Sequence, residues 1–262
     1  MLERGTEERC DGEPKLTLIE SDAGPLWLHA DDGMILPFLR GTGTWEPEEG
    51  GLLRRIVRDG ATFVDVGANV GYFSRLIARH CRPARIIAFE PHPLLVPVLR
   101  RNVAGAQPPV EVHALALGDA PATVELRSAP HNIGDTRVAR TTTEPTQDAV
   151  TARMSTFDDE VRGRVDVVKI DVQGYELDVL RGMRRVIAEN PQLVVVAEFW
   201  PGALEERGLR PAAVLAEYRA MGFETAMLRW GGPVHADDGE IFAFARSAGP
   251  DGQANLVLRR PL

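Results

Sequence analysis

The segment Phe63-Val-Asp-Val-Gly-Ala-Asn-Val-Gly-Tyr-Phe73 decides the fold. Its first residues form a short apolar run that reads as a buried strand, entering a turn after Asp65. Gly67, Ala68, Asn69 and Gly71 then swing the chain into a helix whose start is expected at Val70. A strand running directly into a helix through glycines is the opening of a βαβ unit, so the flanking sequence should continue that rhythm. It does. Apolar runs of strand length recur at 61–66, 84–89, 110–117, 165–170, 192–198 and 223–229. Helical patterns fit between them at 70–80, 92–103, 175–188 and 211–221. Continuous apolar strands separated by helices predict a mostly parallel sheet covered on both faces.

Outside this core the pattern changes. Residues 15–20 (KLTLIE) and 25–30 (PLWLHA) alternate apolar and polar around a turn near Asp22–Gly24, the signature of a β-hairpin. A short helix is expected over 48–58. The stretch 121–150 carries one strand-like run, ATVELR, and then a long polar segment read as an irregular insertion. In the tail, EIFAFAR and NLVLRR each read as strands, and Asp237-Asp238 as a turn.

The turn after the first strand also carries chemistry. A helix start offers free N–H groups and a positive dipole end, which suits a polar ligand. The spacing G-x-x-x-G behind an acid is not the G-x-G-x-x-G fingerprint of dinucleotide sites, and Asp65 is unfavourable beside a pyrophosphate. A carboxylate there suits a cationic group such as an ammonium. A second acid, Glu90, ends the next strand in Ala88-Phe-Glu-Pro-His92, 25 positions after Asp65. That offset is near the ~20 residues at which a carboxylate reaches a ribose diol. Together the two acids point to a cationic adenosine ligand, S-adenosyl-L-methionine rather than NAD.

The order FVDVGANVGYFS, IIAFEPHPLLVPVLRRNV, VHALALGD, VDVVKIDVQGYELDVLRGM and VVVAEFW resembles the FkbM family of class I methyltransferases, over roughly residues 45 to 228. The resemblance implies a Rossmann-like, seven-stranded α/β sheet with helices on both faces and its last strand antiparallel. It divides the chain into an N-terminal hairpin extension, 1–44, and a methyltransferase domain, 45–262. It further implies S-adenosylmethionine as donor and O-methylation of a hydroxyl, often on a sugar or polyketide-type natural product. By position, Asp65, Gly67, Ala68, Asn69 and Gly71 would hold the methionine end, Glu90 and Pro91 the ribose, and Ala116-Leu117 the adenine. Trp45-Glu46 resembles an element that closes over the donor. One motif departs: the family commonly has K-I-D-V-E-G, and this chain has Lys169-Ile-Asp-Val-Gln-Gly174.

A hydroxyl acceptor needs a base within hydrogen-bond reach. Three candidates stand at strand ends or on the insertion: Asp171, which also borders the donor, Glu198, and His131, whose imidazole titrates near neutral pH. On the insertion, Asn132, Gly134 and Asp135 resemble a family motif that would orient the acceptor. No metal requirement is expected, because the acids show no ligand spacing on a helix. N-methylation, and donor binding without catalysis, are the rival readings.

Composition narrows the partners. The 262 residues include 38 acids against 30 bases, a formal net charge of −8, which disfavours a nucleic-acid backbone. A small hydroxylated molecule is the expected partner. Only Lys15 and Lys169 are lysines; the other bases are arginine. Cys10 and Cys81 make neither a disulfide framework nor a metal cluster. With no apolar run near ~18 residues and no apolar leader, a cytoplasmic protein with no membrane span is expected.

Overall fold

The computed structural model describes residues 7–8, 15–129, 132–139, 150–249 and 251–261. The glycine-turn segment opens as expected with a strand, Thr62–Val66 (β1), and a helix, Tyr72–His80. The strands that follow in the same sheet are Arg85–Phe89 (β2), Val110–His113 (β3), Val167–Ile170 (β4) and Val194–Phe199 (β5). Glu224–Arg229 (β6), Gly232–His235 (β7) and Ala254–Arg259 (β8) complete it. Across the sheet the order is β7-β6-β8-β5-β4-β1-β2-β3. β1 to β5 are mutually parallel, and β8 lies antiparallel between β5 and β6. This is the Rossmann-like α/β sheet, its final strand antiparallel as expected. The short β7 adds an eighth strand as a hairpin at the edge.

Both faces of the sheet are covered, because alternate residues of each buried strand face opposite layers. Val64, Val66, Ile87, Phe89, Val168 and Ile170 pack into one core with Leu177, Leu180 and Tyr218. Phe63, Ile86, Val167 and Val196 face the other, with Phe73, Leu76 and Ile77. The N-terminal hairpin, Leu16–Ile19 and Leu26–His29, joins this second core through Leu26 and Leu28. Helix Ile35–Thr42 adds Ile35, Leu36 and Leu39 to it. Asn102 ties the hairpin to the glycine turn: its Nδ2 donates to the Trp27 and Val70 carbonyls, and its Oδ1 accepts from Trp27 N–H at 2.8 Å.

Four local expectations are corrected. The run 110–117 is two strands, because β3 ends at His113 and Ala116–Gly118 pairs with Val150–Thr156 in a separate sheet. Part of the insertion is regular: Ala122–Ala129 and Asn132–Ala139 pair antiparallel and extend that second sheet. The helix expected over 175–188 is two, Glu176–Arg181 and Arg184–Glu189. EIFAFAR is helical within Asp238–Arg246, and Asp237 is its cap rather than part of a turn. Asp237 Oδ1 accepts from Glu240 N–H while the Glu240 carboxylate accepts from Asp237 N–H, a capping box that fixes the helix start.

Candidate functional site

The strand order reverses between β1 and β4, and a crevice opens beyond the carboxyl ends of these two strands, where ligands of open α/β sheets bind. Gly67 leaves β1 and Asp171 leaves β4 there. Their backbones touch so closely that a Cβ on Gly67 would stand 1.9 Å from the Asp171 carbonyl oxygen. Gly71, at φ 85°, begins the helix against Leu99; a Cβ would meet Leu99 Cδ1 at 2.5 Å. Only glycine fits either position.

Two cavities meet at this seam. The smaller, about 60 Å³, lies toward β2 and the second sheet, between Glu90, Pro91, Ala116, Leu117 and Thr136. The larger, about 520 Å³, is walled by Trp45, Glu46, Phe73, Lys169, Glu198 and Trp200. Met34 and Ile35 of the N-terminal extension, and Asp251 and Gln253 before β8, also line it. Gly67, Asn69, Asp171 and Gln173 border both.

Each carboxyl of the site is placed by a specific contact. Glu90 Oε2 accepts from Asn69 N–H and Oε1 from His92 N–H, both at 2.8 Å. Burial nevertheless dominates and pushes its pKa up to about 7, with the charges of Asp65 and Asp171 adding to the rise. Asp65 lines neither cavity; its Oδ2 accepts from the Ser74 N–H at 3.0 Å and hydroxyl at 2.7 Å, anchoring the helix start from below. Its Oδ1 is buried without a partner. Asn69, in the left-handed region at φ 52°, holds another unpartnered buried acceptor, Oδ1.

Asp171 is clamped on both oxygens. Lys169 Nζ donates to Oδ2 and Gln173 Nε2 to Oδ1, each at 3.0 Å. Lys169 is 1% exposed and stacked over the Phe73 ring. Burial disfavours its ammonium, but the carboxyls of Asp171, Glu49, Asp65 and Glu46 outweigh burial and hold it charged. Glu198 is 6% exposed and its Oε2 has no partner. Burial first, then Asp171, Glu176 and Glu46, push its pKa well above the carboxylate range. Glu46, at φ 42°, caps helix Pro47–Ile56, and its carboxyl is hydrogen-bonded to that of Glu49. Burial raises both, Glu49 more strongly.

Of the residues singled out in the sequence, the structure gathers Glu46, Gly67, Ala68, Asn69, Glu90, Pro91, Ala116, Leu117, Asp171 and Glu198 around the two cavities. Asp65 and Gly71 support the turn from behind. His131 lies outside the described residues, as do the side chains of Asn132, Gly134 and Asp135. Sequence reasoning missed Lys169 and Glu49, the buried charges at the centre. The signal for Lys169 was present: it is one of two lysines in an arginine-rich chain, and it sits inside a strand that is otherwise apolar. Among the described residues, no group of three metal-ligating side chains is arranged to hold an ion. No helix among them is long and apolar enough to cross a membrane.

The model of the methyltransferase FkbM domain matches residues 65–225, more than half of the chain and all of the seam. The chain belongs to the FkbM methyltransferase family. Its methyl donor is S-adenosylmethionine. Methyltransferase sdnD of Sordaria araneosa is 32% identical over 183 residues, covering 56% of this FkbM chain and 68% of the relative. Methyltransferase 1 of Beauveria bassiana is 30% identical over 151 residues; the match covers 48% of this chain and 59% of that relative. Among solved structures, the methyltransferase FkbM from Methylobacillus flagellatus KT superposes with a TM-score of 0.49 at 16% identity. That match covers 77% of this chain and 44% of the other.

Proposed function

We propose that this FkbM methyltransferase transfers the methyl group to a hydroxyl oxygen of a small molecule, with Glu198 as general base. The observation that carries the reading is Glu198 itself: a buried carboxyl lining the larger cavity, with one oxygen unpartnered and its pKa raised. A base of this kind holds a proton more strongly than a surface carboxylate, so its ionised form is the better acceptor for the proton of a hydroxyl. Asp171, another of the three candidates, is already engaged on both oxygens, and its role is to position.

The residues of the seam fit the donor. S-adenosylmethionine, when bound, supplies a methyl group already activated on a sulfonium. Each Glu90 oxygen accepts one backbone N–H and keeps lone-pair capacity, so the carboxylate is oriented to accept from a ribose diol. Pro91, Ala116 and Leu117 form the wall of the smaller cavity that would flank the adenine. Toward the larger cavity, Gly67 and Ala68 allow close approach, and the Asn69 Oδ1 acceptor awaits a donor. Glu46 and Asp171 face the same side and suit an ammonium. Holding donor and acceptor in line is worth ~7–11 kcal/mol of barrier.

The small-molecule class, a sugar or natural-product hydroxyl in the first instance, rests on the size of the cavity, about 520 Å³. Its acidic lining, like the net charge of −8, is hostile to a phosphate backbone. The test uses donor labelled with ¹³C in the methyl group and a panel of hydroxylated acceptors, half of them carrying amines. Product label at the shift of a methyl ether is expected; label only on nitrogen would refute the reading.

A further inference from the structure

Gln173 stands where the resembling family commonly carries a glutamate, and its geometry shows what the amide does. The loop after β4 is rigid. Glu176 Oε1 accepts from the N–H groups of Val172 and Gly174, both at 3.1 Å. Gln173 is held at φ 55° and Gly174 at φ 92°, so the side chain of Gln173 is delivered back over Asp171. Its Nε2 then lies 3.0 Å from Asp171 Oδ1, opposite the Lys169 ammonium on Oδ2. A non-glycine residue in this backbone region costs of order 1 kcal/mol, and such strain is kept where the surroundings over-determine it.

We propose that Gln173 is the positioning residue of Asp171: its amide fixes the carboxylate at the seam between the two cavities by donating a hydrogen bond that a carboxylate cannot donate. This inference rests on the reading of the seam as the donor site. Asp171 has two oxygens and two donors, one cationic and one neutral, so its plane is set and its remaining lone pairs face the cavities. The neutrality of Gln173 matters because the surroundings are already acidic. From the strands packed against Asp171 come Asp65, Glu90 and Glu198; from the helices come Glu46, Glu49 and Glu176; among the described residues the cation facing it is Lys169. A glutamate at 173 would put another negative charge in hydrogen-bond contact with Asp171. Two carboxyls that close share a proton, and the pair separates only when that proton is lost at higher pH.

The consequence is a pH signature that a merely structural glutamine would not give. In Gln173→Glu the protonated carboxyl can donate to Asp171 as the amide does, whereas the ionised one repels it. Calorimetric titration with S-adenosylhomocysteine, on wild type, Gln173→Glu and Gln173→Met at pH 6 and pH 8.5, reads this as a ratio to wild type at the same pH. For Gln173→Glu the affinity is expected within about twofold of wild type at pH 6 and roughly tenfold weaker at pH 8.5, one unit of pKa coupling being a factor of ten. Gln173→Met, which fills the space without a donor, is expected several-fold weaker at both pH values. A pH-independent ratio for the glutamate variant, or wild-type affinity for the methionine variant, overturns the proposal. The ¹³Cγ resonance of Asp171 is followed in parallel without ligand; its pH profile in Gln173→Glu should differ from that of wild type, and an identical profile also overturns the proposal. No binding by any form, with those profiles still differing, would instead remove the donor-site reading.

Discussion

The two cavities that meet at Asp171 differ in where their walls come from. The smaller is lined entirely from residues between Val66 and Tyr175, inside the segment that matches the FkbM domain. The larger borrows Met34, Ile35, Trp45 and Glu46 from before that segment, and Asp251 and Gln253 from after it. Besides Asp171, which borders both, the smaller holds Glu90, set by two backbone N–H groups. The larger holds a buried lysine among several carboxyls, two of which keep unpartnered oxygens, and four aromatic rings. One region lies wholly within the family match. The other draws on segments outside that match as well, as a pocket shared by the acceptor and the methionine end of the donor would.

That division can be broken at several points. The largest effect is expected at Glu198. Replacing it by glutamine should lower turnover by ~10²–10⁴, the usual worth of a positioned base, while donor affinity measured by calorimetry stays within about twofold. Turnover that survives the substitution would move the base elsewhere. A smaller effect belongs to the outer wall. Met34 is 52% exposed at the cavity edge, so an acceptor that covers it gains apolar burial. Met34→Ala should raise the acceptor KM several-fold, about 1 kcal/mol, with no change in donor affinity. If donor affinity falls instead, the two cavities do not divide the ligands as assigned.

Much of this was legible in the sequence, and the exceptions have physical causes. The parallel strands and the glycine turn announce themselves because burial on both faces demands unbroken apolar runs and close approach demands glycine. The second sheet was missed because its strands are rich in polar residues, and a polar run is easily taken for loop. In EIFAFAR the apolar spacing satisfies strand and helix alike; the deciding signal was local, the Asp237 and Glu240 capping box. At the site, side-chain direction was the limit. Asp65 and Glu90 both end their strands as expected, yet Asp65 is spent on Ser74 behind the turn while Glu90 faces the cavity. The pairing of Lys169 with Asp171 was open to the two-residue period of a strand, which puts positions i and i+2 on one face, but nothing in that period says the pair turns into the site.

Binding of S-adenosylmethionine to wild type and to Glu90→Ala across pH tests the central claim most directly, that the donor lies in the seam with its ribose on Glu90. Burial places the Glu90 pKa at about 7, and the ionised carboxylate is the form that accepts from two hydroxyls. Donor affinity is therefore present above that value and lost as pH falls through it, roughly tenfold between pH 8 and pH 6. Glu90→Ala should bind at least ~10-fold more weakly at pH 8, from the loss of charge-assisted hydrogen bonds, and show no such pH dependence. A variant that keeps both the affinity and the pH profile of wild type would contradict the account.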